Sequence, residues 1–219
     1  MTSREKFLAA FTAEGTPEIG VVCAYVDVVL RDHWPDVTAT PWYYRGSGVI
    51  EEELRWARDG MARTGVEWLS VWPCPSREER RHQRFVERGQ DVYRVNGQSG
   101  EETLLVRPLP GGSNSPAGND QRMYTAELPA TRGQIDALVP EEPPFDRAKF
   151  LAEGRNDVVV AMRKELDAIL NSQLGSPLWS LAYGLLGYEG FMLFLLQEPE
   201  LAAYAGRRFL NNLKPKVQE

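Results

Sequence analysis

The amino-acid sequence predicts an α/β fold in which strands of a parallel sheet alternate with helices and a β-hairpin interrupts the alternation. The first observation is a pair of short apolar runs, residues 19–22 and 66–72, with the composition of strands buried on both faces. The second is a segment of helical composition at residues 50–64, which makes a strand-helix-strand unit with these runs. The third is the Asn96-Gly97 pair, a strong hairpin signal.

Local signals set the ends of the predicted helices. Thr2 and Glu5 form a capping-box pattern before apolar residues at helical spacing, and Gly15 ends this first helix. The helix at residues 50–64 ends at Gly65. In the second half of the chain the sequence predicts helices at residues 145–166, from 179 and at 199–213, and a short strand at 168–174.

Three segments between these elements carry their own predictions. Residues 77–88, REERRHQRFVER, contain the only candidate basic patch, but the interleaved glutamates favour a solvated helix with intrahelical salt bridges. Residues 91–96 and 102–107 are the strands of the predicted hairpin. Residues 108–144 are rich in Pro, Gly, Ser and Asn and predict a long loop, either a lid or a plain surface excursion.

Composition restricts the class of partner. The chain has 219 residues, 42% of them hydrophobic, and predicts a single domain over residues 1–219. A net charge of -6 opposes binding to nucleic acid and to anionic membrane surfaces. Because no window predicts a signal peptide or a membrane span, we expect a cytoplasmic protein without membrane contact.

The sequence contains no familiar cofactor or metal motif. Cys23 and Cys74 lie far apart without a CxxC pattern, and neither has a histidine at metal-ligand spacing, so two reduced buried thiols are expected. His33 and His82 also lack partners at useful spacing. P-loop, GxGxxG, GxSxG and HExxH motifs are absent. We therefore expect no cofactor and no metal.

Candidate binding residues follow the predicted strands, because parallel α/β sheets bind ligands at the carboxyl ends of their strands. They are Tyr25, Asp27 and Arg31 after the first strand, Trp72 with Cys74 after the second, and Ser176, Trp179 and Tyr183 after the third. The Gly-Ser-Pro turn at residues 175–177 predicts backbone N–H groups facing a ligand at a helix start. The alternative is that Pro177 simply begins a helix whose aromatic residues pack in the core.

Two stretches resemble the uroporphyrinogen decarboxylase superfamily. MTSREKFLAAF followed by a short strand is similar to the opening of that family, and GSPLWSLAYGLLGYEGFMLFLLQEPEL is similar to its segment after the third barrel strand. The positions that match the second pattern are Gly175, Pro177, Tyr183, Gly187, Glu189, Pro199 and Glu200.

The resemblance implies part of a (β/α)8 TIM barrel, about four βα units of it, with the substrate at the carboxyl ends of the strands. In true decarboxylases of the family, which use no cofactor, arginines after the first strand hold the carboxylates of a porphyrin precursor. The resemblance assigns the catalytic tyrosine to Tyr183. Arg31 is the only arginine in the corresponding stretch here, and Trp72 lies where an aspartate closes the second strand. We therefore do not expect decarboxylation of uroporphyrinogen itself.

Two classes of function remain open. The chain is either a uroporphyrinogen decarboxylase-like enzyme, a carboxy-lyase or a relative of corrinoid-linked methyltransferases acting on a tetrapyrrole-like or other small molecule, or a non-catalytic binding or assembly subunit. The zinc-binding half of the methyltransferase barrel has no counterpart in this sequence. A truncated barrel would expose apolar strand faces, so we expect a homo-oligomer or a second chain that supplies the remaining strands.

Overall fold

The computed structural model describes residues 1–23, 26–107, 127–172 and 184–214 of a mixed α/β protein that divides into two compact units. The first unit comprises described residues up to 107 together with 148–172, and the second comprises 127–147 and 184–214. Within the described residues, no helix has the length and hydropathy needed to cross a bilayer. The elements are, in chain order, α1 Ser3–Ala9, α2 Val26–Val37, a 3-10 turn Trp42–Tyr44, α3 Ile50–Thr64, β1 Trp68–Ser70, α4 Arg77–His82, β2 Gln83–Arg88, β3 Asp91–Asn96, β4 Glu102–Leu105, α5 Arg132–Leu138, α6 Arg147–Ala152, α7 Asp157–Glu165, β5 Ile169–Asn171, α8 Gly187–Gln197 and α9 Pro199–Leu213.

A small parallel sheet lies at the centre of the first unit. Strand β1 pairs with β5, and Leu69 lies opposite Leu170. Directly before β1, the Glu67 N–H donates to the Val21 carbonyl over 2.9 Å. Both strands are shorter than the predicted runs 66–72 and 168–174, and residues 173–174 lie outside the described residues. No closed barrel is present among the described residues.

The first predicted strand differs from its expectation. Residues 19–22 have no regular strand structure, and the Ile19 side chain is 87% exposed. The predicted burial of this run is therefore wrong. Within residues 19–22, Val21 alone bonds to Glu67, which lies directly before β1, so no paired strand covers this apolar run.

Two helix signals in the first half of the chain are confirmed, but the predicted end of the first helix at Gly15 is wrong, because α1 ends at Ala9 and residues 10–14 form turns and bends. The Thr2 hydroxyl accepts a hydrogen bond from the Glu5 N–H, and the Glu5 carboxylate accepts one from the Thr2 N–H, which completes the capping box of α1. Helix α3 ends at Gly65, whose φ of 71° is the left-handed conformation that glycine adopts at little cost.

The core of the first unit is built from α2, α3, β1 and α7. Trp34 of α2 and Trp56 of α3 are 6% and 3% exposed, and their ring centroids lie 5.9 Å apart. The Trp34 indole donates to the Thr40 carbonyl, so its buried N–H has a partner. Helix α2 is kinked at His33, two residues before Pro35.

A three-stranded antiparallel sheet with the order β2-β3-β4 forms the insertion. The predicted hairpin is confirmed as β3 and β4. The predicted helix at residues 77–88 is wrong in its second half, because only α4 is helical and residues 83–88 form β2. Strand β2 pairs with β3 from Gln83 opposite Asn96 to Arg88 opposite Asp91, and this hairpin pairing across Gly89 and Gln90 overrides the helical pattern.

The helix predicted at residues 145–166 is divided into α6 and α7. Gly154 separates them with a φ of 72°, a conformation that ends a helix. A Cβ at this position would lie 2.5 Å from Oδ2 of Asp157, so the turn also needs the absence of a side chain.

The second unit is helical in its described residues. Helices α5, α8 and α9 enclose a core of Ile135, Leu186, Phe191, Phe194, Ala202 and Ala205. Helix α5 lies inside the predicted loop 108–144, so the loop prediction is wrong for residues 132–138, where Thr131 and Gln134 form a capping box. Residues 108–126 of this stretch lie outside the described residues.

Candidate functional site

An open cleft of about 420 Å³ lies beyond the carboxyl end of β1. Four aromatic side chains line it, Trp42, Tyr43, Trp72 and Phe85, and we call it the aromatic cleft. Its charged lining residues are Asp27, Arg45 and Arg94. The cleft therefore combines ring surfaces with a small number of charges, which is the usual composition of a small-molecule site.

The aromatic wall comes from two distant segments. The 3-10 turn Trp42–Tyr44 follows Pro41, and Phe85 belongs to β2. The Phe85 ring centroid lies 5.2 Å from that of Tyr43 and 5.1 Å from that of Tyr44. The amide nitrogen of Gln83 donates to the Ser47 carbonyl over 3.0 Å, which adds a polar tie between the sheet and this loop.

Tyr43 is fixed at both ends of its side chain. Its ring packs on Phe85, and its hydroxyl donates to Oε1 of Glu87 over 2.6 Å. Burial, together with this carboxylate, raises the pKa of the Tyr43 phenol. The phenol is therefore neutral at physiological pH and contributes ring surface rather than charge to the aromatic cleft.

Arg45 lies at the base of the aromatic cleft between an acid and a ring. Its guanidinium forms an ion pair with Asp27 and lies over the Trp56 ring, with Cζ 5.4 Å from the ring centroid. Asp27 thus neutralises the charge of Arg45 from the start of α2.

Glu53 is a buried acid that holds the loop carrying Arg45. The residue is 3% exposed, and its carboxylate accepts hydrogen bonds from the Trp56 indole over 2.7 Å, from the Gly48 N–H over 3.1 Å and from the Gly46 N–H. Burial is the largest influence and raises the pKa of Glu53, while these donors act in the opposite direction. Three donors converging on one carboxylate make Glu53 the anchor of this loop.

Gly48 shows how closely this loop is packed. Its φ is 80°, and a Cβ there would lie 2.7 Å from Cδ of Arg80 and 3.2 Å from the Cβ of Cys74. The Arg80 guanidinium also donates to the Gly48 carbonyl over 3.2 Å. Only glycine fits both the backbone conformation and the space at this position.

Arg94 of β3 supplies the uncompensated charge of the aromatic cleft. It lies opposite Phe85 on β2 and Thr103 on β4, so the register places these three residues on one face of the sheet. In the part of the chain that the structure describes, its guanidinium makes no hydrogen bond or ion pair within 4.0 Å, although it lies within electrostatic reach of Glu79. Arg94 is therefore available to an anionic ligand.

The structure describes four of the predicted binding residues, and one of them, Cys74, lines a neighbouring cleft instead. Asp27 and Trp72 both line the aromatic cleft, although they are 45 residues apart in the sequence. Arg31 is not among its lining residues, and its Nε lies 2.6 Å from Oδ1 of Asp32. The other predicted residues, Tyr25, Ser176, Trp179 and Tyr183, lie outside the described residues.

Sequence reasoning missed most of the cleft. Trp42, Tyr43 and Arg45 fall in a stretch, TPWYYRGSG, whose density of aromatic residues was a usable signal. Phe85 was hidden by the helical interpretation of residues 77–88. Arg94 belongs to a hairpin that carried no functional signal in the sequence.

A second, more polar cleft of about 490 Å³ lies next to the aromatic cleft. Its lining includes Cys74, Arg94 and Arg155. Arg155 is paired with Glu153 and Glu79 at 2.7 and 3.3 Å, and the buried Cys74 thiol donates to the Arg155 carbonyl. Arg155 and Cys74 therefore already have partners within the protein, and they offer a ligand in the polar cleft little unpaired charge.

Metal ligands are not grouped in the described part of the chain, where no cluster of three or more His, Cys, Asp or Glu side chains could hold an ion. His33 lies 3.5 Å from Asp36, and His82 lies 3.1 Å from Glu78, each as an exposed pair on one helix. Neither histidine lines the aromatic cleft.

The described residues form a mixed α/β protein with an open cleft, lined by four aromatic rings, beyond the end of a parallel strand. Comparisons with known protein families, with curated proteins and with solved structures found no match for this chain.

Proposed function

We propose that this chain is a uroporphyrinogen decarboxylase-like protein that acts on a small molecule bound in the aromatic cleft. The pairing of its central segments supports a βα architecture of that type. Strand β5 pairs in parallel with β1, with the antiparallel insertion between them in the sequence, and Glu67, directly before β1, donates to the Val21 carbonyl. Neighbouring strands in a (β/α)8 barrel are likewise parallel.

The observation that carries the proposal is the meeting of Asp27 and Trp72 in one cleft. Both were expected at a ligand site because each follows a predicted strand of one sheet. They line the aromatic cleft together with Arg45 and three further aromatic rings. A structural role for either residue alone would not require this convergence.

The chemistry follows from the resemblance and remains within two reaction classes. A carboxy-lyase of this type needs a group that holds the carboxylate end of the substrate and a proton donor for the carbon left by CO₂. Arg94 is suited to the first role, and the resemblance assigns Tyr183 a part in the second. A methyl transfer to a corrinoid protein would use the same cleft to hold a methylated substrate.

Loss of the Phe85 ring is expected to weaken small-molecule binding on the order of tenfold, because the ring completes the aromatic wall formed by Trp42 and Tyr43. Saturation-transfer NMR on the intact chain with a library of small carboxylic acids and methyl ethers would identify ligands. Titration of these ligands into Phe85→Ala would show which of them bind in the aromatic cleft. The matched control is Tyr93→Ala, an aromatic residue on the same sheet that does not line the cleft. Ligands that bind Phe85→Ala as well as wild type would contradict the proposed site.

The reaction class would be read from the same ligands. Release of labelled CO₂ from carboxyl-labelled ligands, lost in Tyr183→Phe, would support a carboxy-lyase. Loss of a methyl group in the presence of a reduced corrinoid would support a methyltransferase. Turnover of uroporphyrinogen above a control without enzyme would contradict the expectation that this porphyrin precursor is not the substrate.

Exposed apolar residues favour a second candidate, a binding or assembly subunit. Phe11 and Ile19 are 88% and 87% exposed, and in the described residues β5 pairs with β1 alone. We expect light scattering at micromolar concentration to give a dimer or larger species, because such surfaces associate in water. Ile19→Glu should shift the association equilibrium towards monomer. The control is Val160→Glu, a change at a 55% exposed position on α7. A monodisperse wild-type monomer would remove this candidate.

A further inference from the structure

We infer that the aromatic cleft takes a flat aromatic compound carrying a single carboxylate, held by its ring against Tyr43 and Phe85 and by its carboxylate on Arg94. This inference rests on the proposed function, because it assumes that the aromatic cleft is the ligand site. It goes further in naming a substrate class that differs from the polycarboxylate tetrapyrroles.

The ring preference follows from the shape and lining of the cleft. Trp42 and Tyr43 meet nearly edge to face at 82°, and Phe85 is tilted against Tyr43 at 39°. Trp72, 47% exposed, adds a further ring on the side of β1. Aromatic side chains in tilted arrangements favour another flat ring, and a volume of about 420 Å³ suits one or two fused rings better than a macrocycle.

The charge preference follows from the count of positive groups that are free to act. Arg45 is neutralised by Asp27 and is further engaged over Trp56. The Tyr43 hydroxyl already donates to Glu87, so it is not a free donor for a ligand. Arg94 is therefore the one lining cation without an ion-pair partner among the described residues.

One free guanidinium matches one carboxylate. A planar guanidinium can donate two parallel hydrogen bonds to a carboxylate, which gives both affinity and orientation. Additional carboxylates on the ligand would meet Asp27 without a further unpaired lining cation to balance them, and unpaired charges in a partly desolvated site are costly. An arylmethylamine, which is protonated at neutral pH, would lose the pairing and meet Arg94 as a like charge.

The register of the sheet sets where ring and carboxylate lie. Phe85 and Arg94 are directly opposite each other on β2 and β3, so their Cβ atoms are about 5 Å apart on one face. A ring resting against Phe85 thus brings a carboxylate attached to it within reach of the Arg94 side chain. This spacing favours a carboxylate attached to the ring directly or through one carbon.

The test uses 2-naphthoate as probe, with 2-naphthylmethanol as its neutral counterpart, 2-naphthylmethylamine as its cationic counterpart and 2,6-naphthalenedicarboxylate and uroporphyrin as polycarboxylates. Isothermal titration is carried out on the wild-type chain, Arg94→Gln, Arg94→Lys and Phe85→Ala. The matched control is Arg84→Gln, an arginine on the neighbouring strand that does not line the cleft.

We expect 2-naphthoate to bind most tightly among these probes and Arg94→Gln to weaken it by about 10- to 100-fold, the worth of a charge-assisted hydrogen-bonded pair. Arg94→Lys should bind 2-naphthoate more tightly than Arg94→Gln does, and Arg84→Gln should bind it as tightly as wild type. Binding of the neutral alcohol should not change in the Arg94 variants but should weaken in Phe85→Ala.

Two outcomes overturn the inference and leave the proposed function standing. One is Phe85-dependent binding of the neutral alcohol with 2-naphthoate no tighter and no response to Arg94→Gln. The other is tighter binding of uroporphyrin or the dicarboxylate than of 2-naphthoate. If no probe binds in a manner that depends on Phe85, both the inference and the proposed site fail.

Discussion

Replacing Phe194 with alanine is expected to lower the free energy of unfolding of the second unit by about 3–5 kcal/mol. Phe194 is 0% exposed, and its ring lies in the core formed by α5, α8 and α9. Truncation removes apolar area from that core and leaves a cavity that the small neighbours Ala202 and Ala205 cannot fill.

Hydrogen exchange over α8 and α9 measures this effect directly, because the exchange of amides protected by the core reports the free energy of opening. The matched control is Leu196→Ala, a large-to-small change on the same helix at a side chain that is 77% exposed. It should change the free energy by less than about 0.5 kcal/mol. Equal exchange rates in Phe194→Ala and Leu196→Ala would show that this core does not stabilise the unit.

Replacing Glu53 with alanine is expected to lower the free energy of unfolding of the first unit by about 2–4 kcal/mol. The change leaves the Trp56 indole and the Gly46 and Gly48 N–H groups without their buried acceptor. Because Glu53 is only 3% exposed, the loss of its side chain also leaves a void in the packed interior. Urea unfolding followed by tryptophan fluorescence would measure the loss.

Glu51→Ala is the control for Glu53→Ala, because Glu51 is an exposed glutamate in the same first turn of α3. It retains the loop anchor and should cost less than about 0.5 kcal/mol. A Glu53→Ala variant as stable as Glu51→Ala would mean that the carboxylate does not anchor the loop.

The pH dependence of Glu53 has a definite sign. Burial raises its native pKa above the ordinary value of 4.5, so between 4.5 and the native pKa the folded chain keeps a proton that the unfolded chain has released. Through this window the contribution of Glu53 to the free energy of unfolding falls as the pH rises. The stability difference between wild type and Glu53→Ala should therefore be larger near pH 4.5 than at pH 7, and a difference that grows with pH would contradict the direction of the shift.

Part of the candidate site follows from a rule that needs only strand ends. The rule puts Asp27 and Trp72 at a ligand site because each follows a predicted strand, and both line the aromatic cleft, although only the strand before Trp72 forms. Phe85 and Arg94 could not be found this way. Residues 83–88 have the charge spacing of a helix, and they form a strand because β3 offers a partner for every residue of β2.

The sequence by itself determined the features that depend on neighbours within a few residues. The capping box of Thr2 and Glu5, the end of α3 at Gly65 and the hairpin loop that begins at Asn96 each need only a short side chain or a left-handed backbone within a few residues. In the hairpin loop Gly100 adopts the left-handed φ of 74°. Such signals are strong because their free energies arise within one turn of chain.

Only the tertiary structure decided which polar and aromatic groups meet. Ile19 is exposed, Glu53 is buried and Tyr43 contacts Phe85. Each of these outcomes depends on surrounding segments that no local sequence pattern specifies. An apolar run is buried only when another element covers it, and a glutamate is buried only when donors from its own loop and helix converge on it. These conditions concern partners in space, and for that reason the aromatic cleft emerges from the packing of the chain rather than from any single stretch of it.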